Sequence, residues 1–280
     1  MKPVSKFCAL AAVFASLVLP APPAEAAAKP LSSQDAKRYA GALKNADRGN
    51  WTRAHRQASK TAGKLPAKLL RWMEMSKRGN RYSFSAISKF VLNNPDWPLR
   101  GTLRRRAEEA LHPAVSNSDV LKWFETYPPL TTAGRIRLVE ATVAAGAKDR
   151  VRKLVRKTWI NGNFGRKQER SFSRKYHRYL SKTDHSARLD RLLWDGQITR
   201  ARRALRLVDS DTQKVAMARI ALHASRGGVD WHIRQVPEQM RTNPGLVFER
   251  ARWRRRKGMD DGAYNLLKDV PADAPFAKKW

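Results

Sequence analysis

TTAGRIRLVEATVAAGAKDRVRKLVRKTW, from Thr131 to Trp159, decides the fold. Ile136, Val139 and Val143 recur at helical spacing, and Leu138, Ala141 and Ala145 widen that apolar face. Gly146 then interrupts, where a left-handed residue can end a helix without a Cβ penalty. Beyond it Val151, Leu154, Val155 and Trp159 share one face of a second helix, and Arg150, Arg152, Lys153, Arg156 and Lys157 cover the other. So short a connection permits only an antiparallel turn, and the stretch reads as a helical hairpin.

Working outward, the same unit recurs. Around Gly196, Leu189 and Leu193 correspond to Val139 and Val143, while Ala201, Ala204 and Leu205 correspond to Val151, Leu154 and Val155. Gly49 stands likewise among Ala42, Ala46, Ala54 and Ala58, Gly79 among Trp72, Phe84 and Ile87, and Gly258 among Ala251, Ala263, Leu266 and Leu267. The spacing between units is irregular, which makes them degenerate repeats. The expected fold is all-α, a right-handed superhelix or solenoid of tetratricopeptide-like hairpins. No alternating run predicts a strand.

Prolines and capping residues mark the other elements. Pro66, Pro95, Pro98 and Pro113 separate helices expected over Ala67–Arg78, Ser83–Asn93 and Leu99–Leu111. Ser116 to Asp119 supplies cap chemistry for the next helix, and Thr131 or Thr132 for the central hairpin. Gly227, Gly228 and Pro237 mark a weakly structured region.

The chain has 280 residues, 57 of them basic and 24 acidic, for a net charge of +33. Such a charge points to an anionic partner: nucleic acid, an anionic membrane surface or an acidic polymer. The N-terminus narrows the choice. Lys2 and Lys6 form a positive start, Phe7 to Leu19 an apolar run, and Pro20 to Ala26 a breaker-rich stretch ending in Ala24-Glu25-Ala26. This is the pattern of a cleavable secretory signal over residues 1–26, with the mature chain starting at or near Ala27. The apolar run is shorter than the ~20 residues that a membrane span needs. Cys8 opens that run, so the expected mature chain has no cysteine and takes its stability from helix packing. Export to the periplasm argues against nucleic acid as the partner. No transmembrane segment is expected after cleavage, and residues 27–280 form the expected superhelical domain. Its ending, Lys278-Lys279-Trp280, directly after a proline-rich turn, suggests an architecture left open at the C-terminus.

Catalytic constellations are missing. Adjacent Glu108 and Glu109 point about 100° apart on a helix and cannot flank one bond as an acid/base pair does. Most of the glutamates, this pair included, sit beside basic residues at helical spacing or on helix faces, and read as surface partners. His177 and His185 lack a third ligand, so no metal site is expected, and no cofactor motif occurs. Asp184-His185-Ser186 is contiguous and cannot converge as a triad, so Asp184 reads as a helix cap. Arginine-rich stretches such as Arg250–Gly258 read as solvated outer faces, their apolar positions belonging to the core. Trp72, Trp159 and Trp253 sit near core positions, and Trp97 is the tryptophan that periodicity explains least.

Two segments, NPDWPLRGTLRRRAEEAL (Asn94–Leu111) and WFETYPPLTTAGRIRLVEATVAAGAKDRVRKLVRKTW (Trp123–Trp159), resemble the soluble lytic murein transglycosylases in their alphaproteobacterial form. DHSARLDRLLWDGQITRARRAL (Asp184–Leu205) and PGLVFERARWRRRKG (Pro244–Gly258) share the likeness, which spans nearly all of the mature chain. The resemblance implies that family's N-terminal superhelical region. In the family a lysozyme-like domain follows, whose glutamate, usually followed by serine, cleaves the bond between N-acetylmuramic acid and N-acetylglucosamine to give an anhydromuramoyl end. No glutamate here is followed by serine, so no catalytic residue carries over.

The expected partner is therefore peptidoglycan, whose peptide stems carry free carboxylates, with other cell-wall proteins as the alternative in an adaptor role. The expected contact surface is a basic stripe of Arg150, Arg152, Arg200 and Arg202, which occupy corresponding points of two successive hairpins.

Overall fold

The structure, a computed structural model, describes residues 31–225, 227–268, 270 and 279. The expected leader and the closing tryptophan lie outside the described residues. Among those described the chain is all-helical, with fifteen α-helices and no strand. They are α1 (Ser33–Asp47), α2 (Trp51–Ala58), α3 (Leu65–Ser76), α4 (Phe84–Leu92), α5 (Arg100–Glu109), α6 (Asn117–Thr126), α7 (Thr132–Ala144) and α8 (Lys148–Asn161). There follow α9 (Arg166–Tyr176), α10 (Lys182–Trp194), α11 (Ile198–Ala204), α12 (Ser210–Ala224), α13 (Val229–Arg234), α14 (Pro244–Arg256) and α15 (Asp260–Leu267). No described helix is long and apolar enough to cross a membrane.

The glycine turns are where the periodicity put them. Gly49, Gly79, Gly146, Gly196 and Gly258 all have φ between 66° and 76°. At Gly196 the glycine N–H donates to the Leu193 carbonyl (3.0 Å) and the Gln197 N–H to that of Leu192 (2.8 Å). These two bonds close a helix end by a left-handed residue, and the same pair recurs at Gly49 and Gly258. In four turns the next residue, Asn50, Ala147, Gln197 or Met259, has φ of −78° to −96° and ψ of 54° to 70° before the second helix starts. Gly79 differs, because α4 begins only after Ser83, whose hydroxyl accepts from the Ala86 N–H. Five residues beyond each glycine stands a buried side chain: Ala54, Phe84, Val151, Ala201 and Ala263.

Because a left-handed backbone at Gly196 is required, Gly196→Val should cost about 1–2 kcal/mol. A Cβ there would meet only His223, at an ordinary 3.6 Å, so the loss would come from the backbone. Urea unfolding measures it, and a variant as stable as the parent would contradict the turn's role.

Some expectations fail locally. Val143 is 43% exposed, and Ala145 is an exposed C-cap. Helix α7 packs on α5, α6 and α8, and its buried arc is Gly134, Arg137, Leu138, Val139, Ala141 and Thr142, rotated away from Val143. Pro66 lies inside the first turn of α3, where a missing N–H breaks no helical bond. The weak region at Gly228 holds a short helix, α13.

Packing divides the described residues into two compact units, one ending at Glu74 and the other starting at Met75. In the first, Ala42, Ala46, Ala54, Ala58 and Leu70 form a small-residue core. In the second, the apolar core is parcelled among successive helices. Val139, Val151, Val155, Trp159, Phe164, Phe172 and Tyr176 make one cluster. Residues of α10, α11 and α12 make the next, and residues of α12, α13 and α14 a third.

Candidate anion-binding cleft

Many of the arginines are architectural. The last four carbonyls of a helix have no partner within it, and arginines roughly thirty residues downstream supply one. Arg106 Nε donates to the Ser76 carbonyl (3.1 Å) at the end of α3, and Arg256 Nη2 to that of Leu222 (2.7 Å) near the end of α12. Arg188 and Arg191 do the same for α8. Arg188 Nη1 reaches the carbonyls of Trp159 (2.6 Å) and Gly162 (2.8 Å), and Arg191 Nε that of Ile160 (3.0 Å). These guanidiniums also meet the negative end of the helix dipole. The arginine-rich stretch Arg250–Gly258 is thus not wholly a solvated face, because the half-buried Arg254 donates to the Gly262 carbonyl (2.7 Å) and Arg256, though exposed, is held on the Leu222 carbonyl.

Arg188 is fully buried. Its guanidinium lies over the rings of Trp159 (4.5 Å) and Phe164 (4.9 Å), which offsets the hydrogen bonds that Nε and Nη2 lack. Burial lowers its pKa to about 10, with Glu169 pulling the other way, so it remains a cation at neutral pH.

A different set of arginines surrounds a cleft of about 630 Å³ between α9 and α11. Arg166, Arg170 and Arg174 recur every fourth residue along α9, hence on one face. Arg202, Arg203 and Arg206 come from α11 and the 3-10 turn after it. Trp159, Ser173, Thr199 and Leu207 complete much of the lining. Its one carboxylate, Glu169, is buried and already engaged. Its Oε2 accepts from Arg203 Nη2 (2.8 Å) and Nε (3.1 Å), and Arg188 Nη2 stands 3.7 Å away. Among the described residues no hydrogen bond or ion pair engages the guanidinium of Arg166, Arg170, Arg174, Arg202 or Arg206, and all five are exposed.

Of the expected stripe, Arg202 lines this cleft. Arg150 and Arg152 are exposed on α8, outside its lining. Arg200 is half-buried and bonded to the Phe164 carbonyl (3.2 Å) and the Gln197 side chain. The four-residue spacing on α9 was a legible signal. The facing arginines of α11 come opposite it only through the fold.

The glutamates also depart from expectation. Glu74, Glu108, Glu169 and Glu249 are buried, not surface partners. Glu74 meets His55 Nε2 at 2.7 Å. Glu108 accepts from the N–H groups of Leu130 (2.8 Å) and Thr131 (2.6 Å) and from the Thr131 hydroxyl (2.6 Å), at the start of α7. Glu109 is the surface member of that pair, bonded to Arg106 at 2.6 Å. Among the described residues no three His, Cys, Asp or Glu groups gather where they could hold a metal ion. Trp97 is half-buried and edge-on to Phe90, with ring centroids 5.4 Å apart.

The Asp184-His185-Ser186 run is structural. Ser181, not Asp184, is the N-cap of α10, and Asp184 completes a capping box three residues on. Burial pushes the Asp184 carboxyl up, but hydrogen bonds from Ser181 and from Arg156 (2.7 Å) outweigh it and hold the group below the usual range. His185 Nδ1 accepts the Trp159 indole N–H (3.1 Å) and therefore carries no proton there. Burial lowers its pKa, with Arg188 adding to that and Asp184 opposing.

A lowered histidine pKa means that the unfolded chain takes up the proton first. The His185 contribution is full above the unfolded value of ~6.5 and is lost as pH falls through the lower folded value. The urea midpoint should therefore fall as pH drops below neutrality, and His185→Gln should flatten that slope. A slope unchanged by the substitution would contradict the assignment.

No family model, curated protein or solved structure matches the chain.

Proposed function

We propose that this chain is the superhelical, peptidoglycan-engaging region of an exported cell-wall protein of the soluble lytic murein transglycosylase kind. On this reading the hairpins stack as a right-handed solenoid in the periplasm. The shared turn geometry supports it, as does the packing of α8 on α10, α10 on α12 and α12 on α14 beside the sequential contacts. Repeat proteins are built in this nearest-neighbour way.

The observation that carries the choice of partner is the exposed positive charge that the fold leaves unused. Once the arginines that close helix ends are set aside, Arg150, Arg152 and Arg202 stand exposed, with no carboxylate paired to them among the described residues. A polymer with a carboxylate on each peptide stem can meet several such points at once, as a small ligand cannot. Cosedimentation with purified sacculi tests this, set beside cross-linking in envelope extracts. Capture by sacculi supports the wall reading. Cross-linking to one protein without sacculus capture would favour an adaptor instead.

A further inference from the structure

We infer that the cleft between α9 and α11 is a discrete site for a phosphate ester or diphosphate, sharing only Arg202 with the exposed arginines that the wall reading uses. Five unpaired guanidiniums face one space of about 630 Å³, and the carboxylate that could neutralise them is already held by Arg203 and Arg188. Like charges gathered this closely repel, so a bound anion is stabilised in proportion to its charge. A carboxylate brings one negative charge, whereas a phosphate monoester brings about 1.5 to 2 with three strong acceptor oxygens.

The chemistry of the lining points the same way. All its cations are arginine, whose planar fork meets a phosphate through two parallel N–H donors, a geometry that lysine cannot offer. Arg166, Arg170 and Arg174 on one wall and Arg202 and Arg206 on the other can engage different oxygens of one group. The Ser173 and Thr199 hydroxyls add neutral donors, and the half-buried Leu207 gives an apolar surface on which the rest of an ester can lie, while Trp159 beneath it is fully buried. The volume admits a sugar phosphate or a lipid headgroup.

Isothermal titration calorimetry with inorganic pyrophosphate tests the site, with tricarballylate at matched ionic strength as the carboxylate control. Pyrophosphate should bind about tenfold more tightly than tricarballylate, because each phosphate group presents three strong acceptor oxygens against a carboxylate's two. Arg166→Gln, Arg170→Gln and Arg174→Gln together, which leave Arg202 in place, should weaken pyrophosphate by about tenfold or more, with an unchanged thermal midpoint, whereas Arg150→Gln with Arg152→Gln should leave it within about twofold. Should the triple variant not fold, Arg174→Gln alone, exposed and unpaired, carries the test with a loss of about threefold. Equal binding of tricarballylate, or binding indifferent to these changes, would overturn the inference. Vesicles of phosphatidic acid in phosphatidylcholine separate the sources. Capture that pyrophosphate reverses identifies a lipid headgroup, and pyrophosphate binding without capture identifies a soluble ester, either of which upholds the site. A parent chain that binds sacculi but not pyrophosphate would overturn this site alone and leave the wall reading standing.

Discussion

Trp159→Ala is expected to lower the stability of the chain by about 3–5 kcal/mol, the cost of emptying a large buried aromatic position. Trp159 is fully buried, lies parallel to Phe172 at 6.3 Å between centroids, and contacts Phe164 at 5.7 Å. The substitution would do more than open a cavity. It would remove the ring under the buried Arg188 guanidinium and the N–H donor to His185. A buried cation stripped of its compensating ring raises the cost further. Urea unfolding monitored by circular dichroism measures the loss. Trp159→Phe, which keeps a ring beneath the guanidinium, should recover a good part of it. A loss under about 1 kcal/mol for alanine would mean that this ring does not organise the core.

The second large effect is expected at Glu108→Ala, about 3–5 kcal/mol. Three donors at the start of α7 converge on this carboxylate, and each buried donor left without an acceptor costs about 1–3 kcal/mol. The negative charge is also favourably set at a helix N-terminus. Glu108→Gln should cost less than alanine but remain destabilising, because its amide turns an N–H toward backbone N–H groups. Gly134 packs directly on the Glu108 side chain, so a side chain there would displace the carboxylate. Thermal unfolding of the two Glu108 variants gives the comparison, and an alanine variant of parental stability would show the carboxylate to be dispensable.

The contrast between the glycines and the glutamates shows which parts of the fold the sequence made legible. A glycine turn is a local event: Gly196 is bonded to a carbonyl three residues away, and its apolar partners lie within two turns on either side. Such a signal survives in a short window of sequence, as do the serine and threonine caps at Ser116 and Thr131. Glu108 finds its donors 22 residues downstream, and Arg188 its carbonyls 26 and 29 residues upstream. At that range a charged residue on a polar face looks the same whether it faces water or caps a neighbouring helix. The cleft was legible by half for the same reason. Its α9 wall shows as arginines at four-residue intervals, while its α11 wall comes opposite through Arg203 and Glu169, 34 residues apart.

Cosedimentation of the chain with purified sacculi over a salt series tests the central claim, that unused positive charge on a helical-repeat scaffold engages an anionic wall polymer. The bound fraction should fall steeply between about 0.02 M and 1 M salt, as the screening length shortens to ~3 Å. At low salt it should also fall when Arg150, Arg152 and Arg202 are changed together to glutamine, with helicity unchanged. Arg200 is left out of that set because it already bonds Phe164 and Gln197. Sacculus binding indifferent both to salt and to the three substitutions would contradict the account.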